Sequence, residues 1–460
     1  MTIKAQSLNF FSFPEVSLPS TAFLVHVYAV LTALISTLIL LQLSALAVGL
    51  RAYKEPACSG LKNRRGKVAA IVPVYNERPK RFAEVLMNLT SVFDRVIVVG
   101  DGVDEPYKGI SLKAGAEFYS IPKSGKRRAL EVGVSKLENE KFVALVDSDT
   151  TVPEATVEKA IAVLACGYDA VTVRITVQDS SLLGRLAQMY ELYKDLVARS
   201  FAGFGTVLVL NGQFSMYRAS ALKAVSLGLS SRKLFGKTVI IGDDKELTSK
   251  LYSLGGKAAY LSSVWAVTSG PESVTHFVKQ IIRWTRASYL YFFIDVIEAN
   301  VKRGAYYFFS GLFSLLVPPL TLLTTIISVG LPRGVVLRFS APELVFLMRV
   351  IERAFLRATP PHVQELHGIT SGFLTAAKFV VHHVDPLLAS AFVLVLLTKV
   401  LVVLPGFEMV RRIGREVKKD LTAALMALLL YLAQTYIALY AMLTVFDFTK
   451  WLTREKITKP

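Results

Sequence analysis

The feature that most constrains the fold is residues 143–150, where an apolar run ends in two aspartates. The run is rich in β-branched side chains, and one residue separates Asp147 from Asp149. This pattern predicts a strand buried on both faces that carries two carboxylates to the carboxyl edge of a parallel sheet, where open α/β sheets bind ligands. Two such carboxylates can converge on one divalent cation that keeps positions for water and phosphate. They can equally cap the helix predicted near Pro153.

Similar strands alternate with amphipathic helical patterns between Lys67 and Tyr291. The predicted strands are Val68–Val74, Arg95–Gly100, Phe142–Val146 and Ala170–Thr176, and the predicted helices include Pro79–Val92 and Lys126–Leu137. This alternation is typical of a doubly wound, mostly parallel sheet covered by helices. We therefore expect an α/β domain with its own core in this part of the chain.

An apolar run precedes this domain. Ala22–Leu50 contains no charged residue and is long enough to cross a bilayer of about 30 Å. A cleaved signal peptide is the alternative, but the run is too long and lacks a basic start. The positive-inside rule places the basic flank, and the domain attached to it, in the cytoplasm. The basic residues of this flank are Arg51, Lys54, Lys62, Arg64, Arg65 and Lys67.

Further apolar segments follow the domain. Tyr306–Gly330 contains two adjacent prolines and is expected to kink or to re-enter the membrane. Val335–Leu356 carries three arginines among apolar residues and resembles a helix lying in the interface. Val384–Leu404 and Leu421–Phe446 are better spans.

The topology of the C-terminal half stays open. The loop Arg411–Lys419 and the tail Lys450–Lys459 are both basic, yet a single span between them would place them on opposite sides.

Composition agrees with a soluble domain joined to a membrane domain. Hydrophobic residues make up 53% of the 460 residues, and charged residues make up 19%. The net charge of +18 is compatible with nucleic acid, anionic lipid or phosphorylated substrates. The sequence has no zinc-finger spacing and no recognisable RNA-binding aromatic signature, so we expect no nucleic acid partner. Cys58 and Cys166 lack metal-ligand spacing, so neither a disulfide scaffold nor a cysteine–histidine metal site is expected.

Other polar motifs follow the first two predicted strands. Tyr75 and Glu77 follow the first strand, and Asp101 follows the second, where they are suited to hydrogen-bonding a nucleoside. Turn chemistry explains the Asp-Gly pair equally well. Lys123-Ser-Gly-Lys-Arg-Arg128 opens a helix with four cations. This segment suits a diphosphate, or it is an ordinary solvated helix start.

Two more motifs lie towards the end of the α/β region. Asp243 and Asp244 form a second acidic pair, which either caps a helix or supplies a general base for an acceptor hydroxyl. Gln280, Arg283 and Trp284 occupy positions i, i+3 and i+4 and therefore share one helix face. That face offers an amide, a guanidinium and an indole to a sugar chain and a diphosphate.

These motifs resemble those of a known family. Asp101, Asp147-Ser-Asp149, Gly242-Asp-Asp244 and Gln280-x-x-Arg283-Trp284 occur in the order found in the processive membrane-bound glycosyltransferases of family 2, the synthases of cellulose, chitin and hyaluronan. Ser124-Gly-Lys-Arg127 is most similar to hyaluronan synthase. The resemblance implies a cytosolic α/β domain of the GT-A type with a Rossmann-like mixed sheet. It also implies an α-helical transmembrane domain with interface helices.

The resemblance also implies roles for individual residues. Asp244, with Asp243, would deprotonate the acceptor hydroxyl, and Asp149, helped by Asp147, would bind Mg²⁺ or Mn²⁺. Residues expected to contact the UDP-sugar are Tyr75, Glu77, Asp101, Lys126, Arg127, Asp147 and Arg283. Residues expected to line the acceptor site are Asn211, Gly212, Gln280 and Trp284. The tail Trp451-Leu-Thr-Arg454 resembles a gating element of hyaluronan synthases, so Trp451 and Arg454 are included with the donor site.

Three departures from the family pattern weaken the assignment to hyaluronan synthase more than the assignment to the processive membrane-bound glycosyltransferases in general. Ile281 replaces the second glutamine of Gln-Gln-x-Arg-Trp, Lys245 replaces the usual arginine, and Leu452 replaces the gating glycine.

The implied activity is processive, inverting transfer from UDP-sugars onto a growing polysaccharide that is exported across the membrane. Hyaluronan-type chemistry would use UDP-GlcNAc and UDP-GlcUA. The alternatives are a chitin-like poly-GlcNAc synthase and a non-processive membrane enzyme acting on a lipid-linked acceptor. An export channel or lipid-binding scaffold with a degenerate enzyme domain is a third possibility, against which the intact acidic set argues.

The expected organisation has five segments in a multi-pass protein of the cell membrane, in contact with membrane lipids. They are an N-terminal segment (1–21), a transmembrane helix (22–50), the cytosolic catalytic domain (51–292), transmembrane and interfacial helices (293–450) and the tail (451–460).

Overall fold

The computed structural model describes residues 21–58, 66–329 and 433–449. The chain divides into two compact units, one of Met1–Thr37 with Leu320–Leu401 and one of Leu38–Pro319 with Val402–Pro460. In the first unit, the described residues are 21–37 and 320–329, and all of them are helical. The second unit contains the sheet and the candidate site, and the contacts discussed below lie within it.

Seven strands form one mixed sheet in the order β3-β2-β1-β4-β6-β5-β9. Strands β1 to β4 pair in parallel, whereas β6 runs antiparallel to both β4 and β5. A separate two-stranded hairpin joins β7 to β8. The strand bounds are β1 Val68–Val74, β2 Arg95–Asp101, β3 Glu117–Ile121, β4 Phe142–Val146, β5 Ala170–Gln178, β6 Phe214–Arg218, β7 Lys233–Leu234, β8 Lys237–Thr238 and β9 Ala258–Ser269.

Helices connect these strands and cover the sheet. The helix bounds are α1 Thr21–Ala52, α2 Pro79–Val92, α3 Tyr107–Lys113, α4 Lys126–Ser135, α5 Glu154–Ala165, α6 Leu182–Gly203, α7 Ala219–Ser226, α8 Asp243–Ser253, α9 Val274–Ile297 and α10 Ala305–Val329. Residues 433–443 are also helical. The α/β fold class and the mixed sheet predicted from the sequence are confirmed.

The central strands are apolar along their whole length because both faces of the sheet are covered. Every residue of β1 and β4 is buried, as expected for strands that lie between two helical layers. The register aligns Val74 with Gly100 and Ile71 with Leu145. Because these strands are parallel, the residues that follow β1, β2 and β4 meet at one carboxyl edge. The predicted bounds of β1 and β4 agree with the structure, and β6 is the strand that departs from a parallel arrangement.

Two described helices are long and apolar enough to cross a membrane. One covers Phe23–Ala52 and the other covers Ala305–Ser328. The second was expected to kink or re-enter at its two prolines. In the structure α10 stays helical through Pro318 and Pro319.

Several predicted segments lie outside the described residues. These are residues 1–20, Lys62, Arg64 and Arg65 of the basic flank, Val335–Leu356, Val384–Leu404, the loop Arg411–Lys419, residues 421–432 of the last predicted span and the tail from Lys450, including Trp451 and Arg454. Within the described part of the last predicted span, helix gives way to turns after residue 443.

The segment that follows α1 is attached to the α/β domain. Tyr53 Oη donates a hydrogen bond to the Tyr260 carbonyl at 2.9 Å, and Glu55 accepts one from the Ser263 amide at 2.6 Å. Cys58 and Cys166 form a disulfide, with Cα atoms 6.3 Å apart. The expectation of no disulfide is therefore wrong for this pair. The sequence did not indicate this disulfide because 108 residues separate the two cysteines. Only the folded chain brings them together.

Candidate functional site

A lysine at the start of α4 joins the two acidic motifs. Lys126 Nζ lies 2.7 Å from Asp147 Oδ1 and 3.1 Å from Asp243 Oδ2. Asp147 follows β4, and Asp243 begins α8, so one ammonium group bridges residues almost a hundred positions apart in the chain. Burial opposes the charge of Lys126, but Asp147 and Asp243 raise its pKa above the usual value. The lysine therefore stays protonated and holds the two motifs together.

The two aspartates at the start of α8 differ in their electrostatic environments. Burial would raise the pKa of Asp243, but the charges of Lys126 and Arg127 hold that pKa below its ordinary value. The pKa of Asp244 is raised, first by burial and then by the neighbouring Asp243 carboxylate. Two adjacent carboxylates with pKa values moved in opposite directions are typical of sites where one group stays ionised and the other exchanges a proton.

A pocket collects several of the predicted site residues. Its polar lining includes Lys126, Asp147, Asp243 and Asp244, and Gly212 lies beside them. Its apolar floor consists of Pro73, Leu130, Leu145, Val146, Leu210 and Leu247. The structure thus brings together the basic helix start, the first acidic motif, the second acidic pair and one predicted acceptor residue.

Asp101 organises the loop that precedes α4. Its Oδ1 accepts hydrogen bonds from the backbone amides of Ser124 and Gly125 at 2.6 and 2.9 Å, and Lys123 Nζ lies 2.7 Å from its Oδ2. Lys123 Nζ also lies 2.9 Å from the centroid of the Tyr75 ring. Tyr75 and Asp101 are therefore neighbours, linked through a lysine to which the sequence assigned no individual role. Their contact with a nucleoside stays a prediction.

The turn after β4 is held by residues from α2 and from the loop that precedes it. Ser148 is buried and donates a hydrogen bond to Glu77 Oε2 at 3.2 Å. Arg81 Nη2 donates to the Asp149 carbonyl at 2.9 Å. Glu77 and Arg81 thereby fix the backbone that carries Asp147 and Asp149.

The turn after β4 offers two carboxylates to a divalent cation, those of Asp147 and Asp149. Among residues 21–58, 66–329 and 433–449, no group of three histidine, cysteine or acidic side chains could hold a metal ion. Mg²⁺ and related ions are usually bound by one or two carboxylates plus substrate phosphates, not by a complete protein cage. Asp147 and Asp149 fit a site of that kind, which a diphosphate would complete.

The structure separates Arg127 from Lys126, although both were expected beside the nucleotide. Consecutive residues of a helix point about 100° apart, so only Lys126 faces the pocket. Arg127 is buried and forms an ion pair with Glu246. It also donates to Tyr291 Oη at 2.8 Å and to the Ile241 carbonyl at 2.7 Å. The side chain of Arg127 supports the backbone just before Asp243, and its expected contact with a nucleotide stays a prediction.

Gly242 allows this backbone to approach α9. Its φ is +71°, and a Cβ added there would lie 2.8 Å from the Tyr291 ring. Both the left-handed conformation and the close contact exclude ordinary side chains. The glycine therefore sets the point at which α8 begins and, with it, the positions of Asp243 and Asp244.

Of the predicted acceptor residues on α9, Trp284 lies against α6. The Trp284 indole is nearly parallel to the Tyr190 ring, with an interplanar angle of 9° and centroids 6.1 Å apart, and Lys194 Nζ lies 4.6 Å from the Trp284 ring centroid. Gln280 Nε2 lies 3.4 Å from His276 Nε2. Arg283, on the same helix, helps to lower the pKa of Asp243, so its charge acts at the acidic pair.

Asn211 is the acceptor-site prediction that points elsewhere. Its Nδ2 donates to the Val173 carbonyl at 3.3 Å, and its amide donates to Thr172 Oγ1 at 3.1 Å. Asn211 therefore anchors the loop to β5, and Gly212 reaches the pocket. Trp451 and Arg454 lie outside the described residues.

Three residues near the site were not predicted from any motif. Tyr190 and Lys194 belong to a helix that carries no motif, and Tyr217 lines the pocket from β6. Aromatic residues at strand and helix spacing ordinarily indicate core positions, and a single lysine on a helix ordinarily indicates a solvated face. Only tertiary structure therefore identifies these three residues.

The chain is similar to known glycosyltransferases. Residues 65–287 match the family model described as glycosyltransferase like family 2. The chain is 26% identical over 265 residues to an N-acetylglucosaminyltransferase of Mesorhizobium japonicum, covering 51% of this chain and 62% of the relative. It is 28% identical over 237 residues to an N-acetylglucosaminyltransferase of Sinorhizobium fredii, covering 48% of this chain and 57% of the relative. The chain thus spans less than two thirds of either relative.

A solved structure shares the fold. A mannosyltransferase from Pyrobaculum calidifontis, in complex with GDP-Man and Mn²⁺, superposes with a TM-score of 0.52 at 16% identity, covering 82% of this chain and 99% of that one. These similarities do not single out hyaluronan synthase among the relatives of the chain. Residues 65–287 of this chain are thus similar to glycosyltransferases of family 2, and the α/β domain has a GT-A type fold.

Proposed function

We propose that this protein transfers N-acetylglucosamine from UDP-GlcNAc to the hydroxyl of a growing, chitin-like oligosaccharide. The observation that carries the proposal is the pocket in which Lys126 bridges Asp147 and Asp243 beside Asp244. The printed names of the rhizobial relatives favour N-acetylglucosamine as the sugar. They support the chitin-like alternative better than the hyaluronan-type activity expected from the motifs.

The reaction is a direct displacement at the anomeric carbon. Asp244 accepts the proton of the acceptor hydroxyl, the acceptor oxygen forms the new glycosidic bond, and the bond to the diphosphate breaks as UDP leaves. Attack from the face opposite the leaving group inverts the anomeric carbon. The raised pKa of Asp244 suits a base, while Arg283 provides positive charge near the departing diphosphate.

A divalent cation is part of this proposal. Asp149 and Asp147 would hold Mg²⁺ or Mn²⁺, which when bound neutralises charge on the diphosphate. The mannosyltransferase that shares the fold was solved with Mn²⁺, which supports the same choice of metal here.

We also propose that the protein acts at a membrane. α1 and α10 have the length and composition of spans. A hydrophilic product needs a protein-lined exit because its hydroxyls cannot be left unpaired in lipid. We propose further that elongation is processive and coupled to export of the product across the membrane.

A donor panel tests the proposed substrate. Purified full-length protein in nanodiscs is given Mn²⁺ with UDP-GlcNAc alone, UDP-GlcNAc plus UDP-GlcUA, or GDP-mannose, and nucleotide release and product mass are measured. We expect UDP-GlcNAc alone to yield a ladder of chitinase-sensitive oligomers. An absolute requirement for UDP-GlcUA would contradict the chitin-like proposal in favour of hyaluronan chemistry. A single transferred sugar would contradict processive elongation.

Asp149→Ala should abolish metal-dependent turnover while the domain remains folded. The substitution removes a carboxylate proposed to bind the cation that neutralises the leaving group, and we expect a loss of at least about 100-fold in UDP release. Turnover is measured across a Mn²⁺ titration. Glu158→Ala, at an exposed position of α5, is the matched control and should behave like the unmodified protein. Unchanged Mn²⁺ dependence in Asp149→Ala would remove the metal role.

Trp284→Ala should shorten the products more than it slows donor consumption. The indole is proposed to contact the acceptor, so its loss raises the acceptor KM by about 2-fold to 30-fold, equivalent to one aromatic contact of roughly 0.5–2 kcal/mol. Product length and hydrolysis of UDP-GlcNAc in the absence of acceptor are measured together. Trp284→Phe keeps an aromatic face and should recover longer chains. Products of normal length from Trp284→Ala would be inconsistent with this role.

A further inference from the structure

The β7–β8 hairpin has no part in the proposed reaction, yet it exposes an aromatic ring. Phe235, at its tip, is 74% exposed and has a φ of 49°, and Gly236 follows with a φ of 75°. The left-handed region is disfavoured for a bulky residue. Backbone in a disfavoured conformation is usually retained at functional sites, where it holds a side chain in a particular direction. We therefore expect the exposed Phe235 ring to contact a partner.

Two lysines flank the exposed ring. Lys233 and Lys237 are both exposed, and the hairpin pairs Lys233 with Thr238 and Leu234 with Lys237. Within the described part of the chain, no acidic side chain forms a salt bridge with either lysine, whereas the preceding Arg232 pairs with Glu298 at the hairpin base. The tip thus combines an apolar group with two positive charges that no acidic residue of the described chain balances.

The hairpin is continuous with other apolar surface. Leu234 packs in one cluster with Leu315 of α10 and with Met442, and α10 is one of the two helices long enough to span a bilayer. The Phe235 and Phe446 rings lie 6.0 Å apart. Phe446 is itself 64% exposed. The apolar surface therefore extends from the hairpin tip towards the segment that packs on α10.

We propose that the β7–β8 hairpin is a membrane contact that binds an anionic bilayer surface. Phe235 enters the boundary between headgroups and acyl chains, and Lys233 and Lys237 bind the headgroup phosphates. The chemistry favours lipid because long basic side chains beside an inserted ring suit the bilayer interface. A protein partner would need roughly 800 Å² of contact surface, far more than a four-residue hairpin tip offers.

This contact lies next to the catalytic segment. The Val239 amide donates to the Arg232 carbonyl at 2.9 Å, which closes the hairpin, and the Ile240 amide donates to the Phe448 carbonyl at 3.1 Å. Asp243 begins α8 three residues after Ile240. Lipid binding at the hairpin therefore fixes one end of the segment that carries the acidic pair.

The experiment measures the depth of residue 235 in a bilayer. Cys58 and Cys166 are the two cysteines of the sequence and are disulfide-bonded, so a nitroxide on Phe235→Cys is site-specific. Full-length protein is placed in nanodiscs of phosphatidylcholine, or of phosphatidylcholine mixed with phosphatidylglycerol. Collision of the label with oxygen, which concentrates in lipid, is compared with collision with a water-soluble nickel chelate. Met87→Cys on α2, a residue that is 61% exposed, is the aqueous control.

We expect the label at position 235 to collide more with oxygen than with the nickel chelate in the anionic nanodiscs. In phosphatidylcholine alone, collisions with the nickel chelate should increase. The label at position 87 should be exposed to water in both kinds of nanodisc. Lys233→Gln and Lys237→Gln, added to Phe235→Cys, should each reduce the preference for anionic lipid by on the order of five-fold. An aqueous label 235 in anionic nanodiscs would overturn the proposal. So would immersion that does not change with lipid charge or with the lysine substitutions. Neither readout depends on glycosyl transfer, so failure here is distinct from failure of the proposed function.

Discussion

Replacing Asp244 with asparagine should lower kcat by about 10²-fold to 10⁴-fold, the usual contribution of a positioned general base. Asparagine keeps the size of the side chain and the pocket but cannot accept the proton of the acceptor hydroxyl. The substitution should not destabilise the domain. Burial and the adjacent Asp243 raise the pKa of Asp244, so its ionised form is less favourable in the folded state than in the unfolded chain. Turnover of UDP-GlcNAc and thermal unfolding are measured on the same preparation.

The pH dependence gives an independent check on this assignment. A base must be ionised, so kcat/KM should rise with pH through the raised pKa of Asp244 and then level off. Asp243, whose pKa is lowered, is ionised throughout this range and cannot produce that rise. In Asp244→Asn the rise should disappear from the residual rate. Retention of most UDP release with oligomer synthesis, or an unchanged acidic limb, would assign the base to another residue.

Much of the sheet was predictable because its strands are buried on both faces. A strand in that position needs an unbroken apolar run, and β1 and β4 therefore begin and end where their runs do. The antiparallel β6 was not predictable from its own residues, since strand direction depends on the path of the preceding chain. The parallel strands explain why the motif residues after β1, β2 and β4 meet at one edge.

The charged residues of the candidate site were predictable, because few residue types suit their proposed chemistry. The direction of each side chain was not predictable, because it depends on where the helix begins. Lys126 and Arg127 are adjacent cations in one motif, but one faces the pocket and the other faces the core. Tyr190 contacts Trp284 from a helix with no motif of its own. Sequence alone locates a cluster of charged residues, whereas the direction of each side chain depends on where a helix begins and what packs against it.

Arg127→Met should be strongly destabilising, by roughly 3–5 kcal/mol, because it removes the buried cation that pairs with the Glu246 carboxylate. Among the described residues, only Lys250, whose Nζ lies 3.1 Å from Glu246 Oε1, would then balance that charge. Glu246 is 2% exposed and also accepts a hydrogen bond from Tyr291 Oη at 2.7 Å. The substitution removes hydrogen bonds to the carbonyls of Ile240 and Ile241 as well. Thermal and denaturant unfolding of the purified protein measure the loss. If protein is recovered, its KM for UDP-GlcNAc should change much less than its stability.

Two further variants separate this structural role from nucleotide binding. Arg128→Met removes an exposed neighbour that pairs with Glu131 on the same helix, and it should change the unfolding free energy by less than about 1 kcal/mol. Arg127→Met combined with Glu246→Gln removes the buried charge along with its partner and should recover a large part of the lost stability. A stable Arg127→Met protein with a much higher KM for the donor would place the guanidinium at the nucleotide after all. Because Ile241 adjoins Gly242 and the acidic pair, the same ion pair that stabilises the domain also holds the proposed base in position.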